Sequence, residues 1–244
     1  MLAAKQATRR SQHLPELILR CSSMGVTTQV AAANLLDLQD FQTTQRSSRS
    51  GYDRLAHVMQ PIRPVVVPYT YAEYAALPPD GRRWELIDGD FEVTPAPAPR
   101  HQTVSRHLQF ELMRALEETG VAQVFNAPID VILSETDVLQ PDLAILRSDR
   151  LQFVTDRGIE GPPDIVVEIL SPSSKVIDRR VKPRTYARYA IPEYWIVDGE
   201  FGQMELHRLG AEGYVLEARF DRALKLVTPS FPELQVDLMR VFRV

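Results

Sequence analysis

Two acidic residues sit where a soluble protein rarely places them. Pro141-Asp142 opens one apolar run, and Glu168 lies inside another, Asp164-Ile-Val-Val-Glu-Ile-Leu170. An ionised carboxylate in so apolar a strand costs several kcal/mol if it is unpaired. Either a bound cation or a buried Arg or Lys would relieve that cost. Asp164 shares a strand face with Glu168, but four residues at about 3.3 Å each separate them by roughly 13 Å, too far to share a small ion. Asp142, on a neighbouring strand, can approach Glu168 laterally at the strand spacing of about 5 Å. Asp142 is therefore the expected partner, and Asp164 a strand-start residue.

After Glu168 the chain reads Ser171-Pro-Ser-Ser-Lys175 and then turns basic. Six bases (Lys175, Arg179, Arg180, Lys182, Arg184, Arg188) stand against one acid, Asp178, between residues 175 and 188. Such a run suits a solvated helix face, or cations that follow a phosphate backbone while one Lys stabilises charge developing on a phosphate under attack. The chain has no Gly-rich phosphate loop, no G-x-S-x-G and no H-E-x-x-H. Phosphate-loop nucleotide hydrolysis, serine hydrolysis and zinc proteolysis thus lose their usual residues.

The elements that must position these groups follow from residue periodicity. Thr70 with Glu73 forms a capping-box signature for a short helix over Tyr71 to Leu77, stopped by Pro78 and Pro79. Arg83 to Val93 reads as a hairpin around Asp88-Gly89. Pro95, Pro97 and Pro99 force an extended connector. Val104, Leu108, Leu112, Ala115 and Leu116 mark an amphipathic helix over 101–119. Strand-like runs follow at Val121 to Leu133, Asp142 to Leu146 and Asp164 to Leu170, then the basic segment, then the strand Tyr194 to Val197. Met204 to Leu209, Tyr214 to Phe220 and Ala223 to Val227 read as hairpins that extend the sheet. The expected order is α-β-β-β-α-β with added hairpins, a mixed α/β (α+β) architecture. Trp84, Tyr194 and Trp195 read as core, as does Tyr186, which also stands four residues from Lys182.

The 244 residues, 44% hydrophobic and 25% charged, are enough to bury a large core. The net charge of −4 excludes a polycation that coats nucleic acid. A lone Cys21 excludes a disulfide framework and suits a reducing compartment, the cytoplasm. No apolar run approaches the roughly 18 residues of a spanning helix, so no membrane insertion is expected. Residues 1–60 carry seven Lys or Arg against four acids, hence +3, which leaves −7 for the rest. With the polar stretch Gln42 to Gly51, they are expected to form a weakly structured extension dispensable for folding, ahead of a domain over 61–244.

Several ordered motifs carry a resemblance. Trp84-Glu-Leu-Ile-Asp-Gly-Asp90, Pro97-x-Pro99-x-His101, Gln140-Pro-Asp-Leu143, Pro163-Asp-Ile-Val-Val-Glu-Ile-Leu-Ser-Pro172, Asp178-x-x-x-Lys182, Tyr186 and Ile191-Pro-Glu-Tyr-Trp-Ile-Val-Asp198 resemble the Uma-two family of restriction-endonuclease-like proteins, within the PD-(D/E)XK nuclease superfamily. The resemblance covers about residues 65 to 240. It implies a restriction-endonuclease-like core and a phosphodiesterase site dependent on Mg²⁺ or Mn²⁺. Asp142 matches the superfamily's Asp, Glu168 its second acid, and Glu85 an additional acid. The superfamily's Lys would fall two residues after Glu168, where this chain has Leu170, so the resemblance shifts that role to Lys182 in the following helix. Asp142, Glu168 and Lys182 become the expected catalytic residues, and Asp142, Glu168 and Glu85 the expected metal ligands. Lys175, Arg179, Arg180 and His101 become the expected nucleic-acid contacts. Pro183 disturbs the helix that must carry Lys182. The expected activity is endonucleolytic cleavage, most naturally of DNA; a homodimer would suit the two cuts that a duplex needs. The alternative is a catalytically inactive module that kept the fold to bind nucleic acid or a protein partner.

Overall fold

The computed structural model describes residues 67–243, and the expected extension 1–60 lies outside the described residues. Helix α1 (Tyr71–Ala75) precedes strands β1 (Arg83–Ile87) and β2 (Asp90–Thr94). Next come helix α2 (Pro99–Leu112), continued by a π turn over Met113–Glu117, and strands β3 (Ala122–Asn126), β4 (Val131–Ser134), β5 (Asp137–Leu139) and β6 (Leu143–Arg147). Strands β7 (Val154–Thr155), β8 (Gly158–Glu160) and β9 (Ile165–Ile169) lead to a second π turn (Ile177–Val181), helix α3 (Lys182–Arg188) and β10 (Glu193–Asp198). Strands β11 (Gln203–Gly210), β12 (Gly213–Asp221), β13 (Lys225–Leu226) and β14 (Val236–Asp237) and helix α4 (Leu238–Val241) complete the chain.

The central sheet has the order β12-β11-β10-β9-β6-β3. Its pairs are antiparallel except β9 with β10, which are parallel because α3 carries the chain back between them. Helix α2, strands β3, β6 and β9, helix α3 and strand β10 reproduce the expected α-β-β-β-α-β order. Strand alternation decides the faces. Leu143, Ile145, Val167, Trp195 and Val197 pack with Val104, Leu108 and Leu112 of α2. The even-numbered Val166, Tyr194 and Ile196 turn to the opposite face and meet Tyr186 of α3. By the same alternation Asp142 and Glu168 belong to that second face.

Three expectations are corrected. The run Val121 to Leu133 is two strands: β3 joins the central sheet, while β4 joins a second sheet of order β2-β1-β5-β4-β8-β7. Apolar content is the same in both halves, so hydropathy cannot show that the chain changes sheets between them. The run Ala223 to Val227 does not extend the central sheet; β13 pairs with β14 apart from it. Trp84 is only half-buried: it packs at the margin of the cluster of Tyr74, Leu86 and Val138, its ring edge-on to Phe91 at 5.9 Å.

The β1–β2 turn is the tight hairpin that Asp88-Gly89 predicts, with φ of 53° and 78° at the two residues. Gly89 is also buried against the chain before α1: a Cβ there would lie 2.2 Å from Pro68 Cβ. Gly89→Ala therefore meets both a left-handed backbone and a steric clash. It is expected to lower the unfolding free energy by about 1–3 kcal/mol, seen as a lower urea midpoint at an unchanged slope.

Candidate functional site

Strand register brings the two carboxylates together. Leu143 of β6 pairs with Val167 of β9, so Asp142, one step earlier, stands beside Glu168, one step later. The Ile169 N–H donates to Asp142 Oδ2 at 2.8 Å, which ties Asp142 to the end of β9. Asp164 lies at the other end of β9, where its carboxylate accepts from the Arg147 N–H and from Arg150, both at 2.8 Å. It is a strand-start residue.

The opposite wall comes from the helical segment 175–188, whose buried face presents Asp178, Lys182 and Tyr186 at four-residue steps. Pro183 is accommodated by the π turn before α3. In an i→i+5 pattern, the Asp178 carbonyl would bond the N–H of residue 183, which proline lacks. The Tyr194 hydroxyl from β10 donates to that carbonyl instead. Tyr194→Phe keeps the ring and leaves a buried carbonyl unpaired. A loss of about 1–3 kcal/mol in unfolding free energy is the expected result, read from denaturant unfolding.

Lys182 is buried and central to the charge network. Its Nζ lies 3.0 Å from Glu85 Oε1, 3.0 Å from Glu168 Oε1 and 3.6 Å from Asp178 Oδ1. The Tyr186 hydroxyl donates to the same Glu168 Oε1 at 2.7 Å. Glu168 Oε2 accepts no hydrogen bond among the described residues. Glu85, on β1, accepts from the Gln140 N–H at 2.7 Å. Asp142 accepts from Arg83 Nη1 at 3.1 Å and from His101 Nε2 at 3.0 Å.

These environments drive the two acids apart. Burial pushes Glu168 up to about 8, with Lys182 opposing the shift and the Asp178, Asp142 and Glu85 charges adding to it. Burial also acts on Asp142, but the hydrogen bond from His101 and the Arg83 charge outweigh it and hold Asp142 down to about 2. Burial works against the Lys182 ammonium, and its three carboxylate neighbours overcome it and raise its pKa.

The cluster suits a hard divalent cation by its chemistry. Four buried carboxylates (Glu85, Asp142, Glu168, Asp178) face two permanent cations, Arg83 and Lys182, a surplus of two negative charges when all are ionised. No group of three or more His, Cys, Asp or Glu in a metal-holding arrangement occurs among the described residues. A magnesium-type ion does not need one, since it is commonly held by one or two carboxylates and completed by water and substrate oxygens. Asp142 and Glu168 line a cleft with Arg83, His101, Ser171, Ser174, Asp178 and Lys182. Glu85 is absent from that lining and is placed as a partner of Lys182.

Of the expected nucleic-acid contacts, His101 lies inside the cleft on Asp142. Lys175 and Arg180 are exposed and make no side-chain hydrogen bond or ion pair among the described residues. Arg179 pairs with Glu205 at 2.9 Å. The sequence assigns no role to Arg83 or Asp178. The Asp178-x-x-x-Lys182 spacing signals that both face one way on a helix, but nothing local to Arg83 points to Asp142, 59 residues away.

The family model of Uma2, described as "Putative restriction endonuclease", matches residues 71–239. Among solved structures, "a putative nuclease belonging to DUF820" from Anabaena variabilis superposes with a TM-score of 0.60 at 20% sequence identity, covering 72% of this chain and 98% of that one. At that identity the likeness shows the fold. No curated protein matches the chain.

Proposed function

Because the chain belongs to the Uma2 family, we propose that it is a divalent-metal-dependent endonuclease that hydrolyses phosphodiester bonds, with DNA as its substrate. The observation that carries this reading is the register of β6 and β9, which sets Asp142 beside Glu168 on one wall of a cleft that Lys182 also lines. The neighbour described as "a putative nuclease" supports it through the shared fold.

Asp142 and Glu168 would hold Mg²⁺ or Mn²⁺. When bound, the ion supplies Lewis acidity toward a water and toward the phosphate oxygens. The protein's own residues prepare that position. Tyr186 and Lys182 occupy Oε1 of Glu168 and so leave Oε2 for the ion. His101 and the Ile169 N–H fix the Asp142 carboxylate. Lys182 keeps its ammonium at the cleft wall, where charge grows on the phosphate under attack. Lys175 and Arg180, exposed on the same helical segment, would follow the phosphate backbone.

Plasmid nicking in Mg²⁺, in Mn²⁺ and in EDTA tests the proposal. Nicking in either metal that EDTA abolishes supports it. DNA binding without nicking in any metal would favour a binding module on the same fold.

A further inference from the structure

The cleft contains one cation whose present contacts do not satisfy it. Arg83 leaves β1 beside Glu85, and its guanidinium reaches Asp142 Oδ1 through Nη1 and the Gln140 carbonyl through Nη2. Its Nε is buried without an acceptor. A buried N–H donor without a partner is unfavourable, so the guanidinium is held at Asp142 by charge while one of its donors is idle. The side chain is 17% exposed, against 3% for Lys182, and both line the cleft. Lys182 is locked by three carboxylates, whereas Arg83 has one.

The competition is specific. Arg83 takes Oδ1 of Asp142, while Oδ2 is committed to His101 and the Ile169 N–H. A cation that binds Asp142 must therefore meet Arg83 at Oδ1, and like charges so close repel. A phosphodiester that enters the cleft brings two non-bridging oxygens, whose spacing matches the planar guanidinium fork, so it can engage the donor that Asp142 leaves idle. Ser171 and Ser174 line the same cleft and add hydroxyls.

We propose that Arg83 is an exchangeable counter-ion and the phosphate-gripping residue of this site: it neutralises Asp142 in the metal-free protein, and it transfers its guanidinium to a substrate phosphodiester when a divalent cation binds Asp142. The proposal rests on the metal-dependent nuclease reading and adds how the substrate is recognised. It makes Arg83 a competitor of the metal and a partner of the nucleic acid, two effects of opposite sign that a structural role cannot produce together.

Two measurements on wild type, Arg83→Ala and Arg83→Lys test it. Calorimetric titration with Mn²⁺ alone should show Arg83→Ala binding the ion several-fold to tenfold more tightly than wild type, with Arg83→Lys close to wild type. Anisotropy with a short DNA duplex in Ca²⁺ should show both variants binding at least about tenfold more weakly, because Lys keeps the charge but not the fork. Circular dichroism establishes that each variant folds, and Arg83→Gln replaces Arg83→Ala if the alanine variant does not. Mn²⁺ affinity that is unchanged or weaker in the neutral variant would overturn the proposal, as would unchanged DNA affinity in Arg83→Lys. A wild-type protein that binds no Mn²⁺ would instead overturn the metal reading itself, and this proposal with it.

Discussion

Lys182→Met should lower the unfolding free energy by about 3–5 kcal/mol, the range for removing one member of a buried ionic cluster. Methionine preserves the length and packing of the stem, so the loss isolates the ammonium. Without it Glu85, Glu168 and Asp178, each no more than 2% exposed, face one another with no cation between them. At about 2–4 °C per kcal/mol for a domain of this size, the melting temperature should fall by about 6–20 °C. Two further variants separate charge from packing. Lys182→Met/Glu168→Gln should recover part of the loss, because it removes one of the uncompensated acids. Lys182→Arg should not restore stability fully, since the fork does not fit a pocket built around a single ammonium. An unchanged melting temperature in Lys182→Met would show that the three carboxylates are neutralised in some other way.

Glu168→Gln and Asp142→Asn should each reduce metal-dependent nicking by at least about 10²- to 10³-fold, the scale on which single electrostatic groups act in such sites. Mn²⁺ binding measured by calorimetry should be lost in both, because the strand register sets these two carboxylates side by side in the cleft lining as the expected ligands. Their stabilities should diverge. Ionisation of Glu168 is opposed by its environment, which pushes its pKa up to about 8, so Gln, which resembles the protonated acid, costs little and can stabilise the metal-free protein. Asp142 is the reverse case. Its pKa is lowered from 3.8 to about 2, which stabilises the fold at neutral pH by about 2 kcal/mol. That contribution is fully present above the unfolded value of 3.8 and is lost as the pH falls through about 2. Asp142→Asn forfeits it at neutral pH. Intact nicking in either variant would sink the shared-site assignment.

Part of this site is legible in the sequence. The choice of Asp142 over Asp164 needed only the rise along a strand and the spacing between strands, and the β6–β9 register agrees with it. The hairpin at Asp88-Gly89 and the helix over Val104 to Leu116 were equally readable, since turn chemistry and helical periodicity reside in a few consecutive residues. Pro183 marked a disturbance without showing its form. The compensating group is a hydroxyl from β10, which no local pattern announces.

The sequence by itself determined the helix over Val104 to Leu116, the strands that position Asp142, Glu168 and Tyr194, their order, and the two carboxylates that meet, because each follows from spacing within a strand or helix. Tertiary structure alone decided what those carboxylates face. It split residues 121–133 between two sheets, set Glu85 on Lys182 at 3.0 Å rather than in the cleft lining, and laid Arg83 on Asp142 at 3.1 Å. These are contacts between surfaces distant in the chain, and the side chains involved carry the same charge whichever partner they find. Local periodicity determines which face of an element is buried; only the packing of whole elements determines which buried charges are brought within reach of one another.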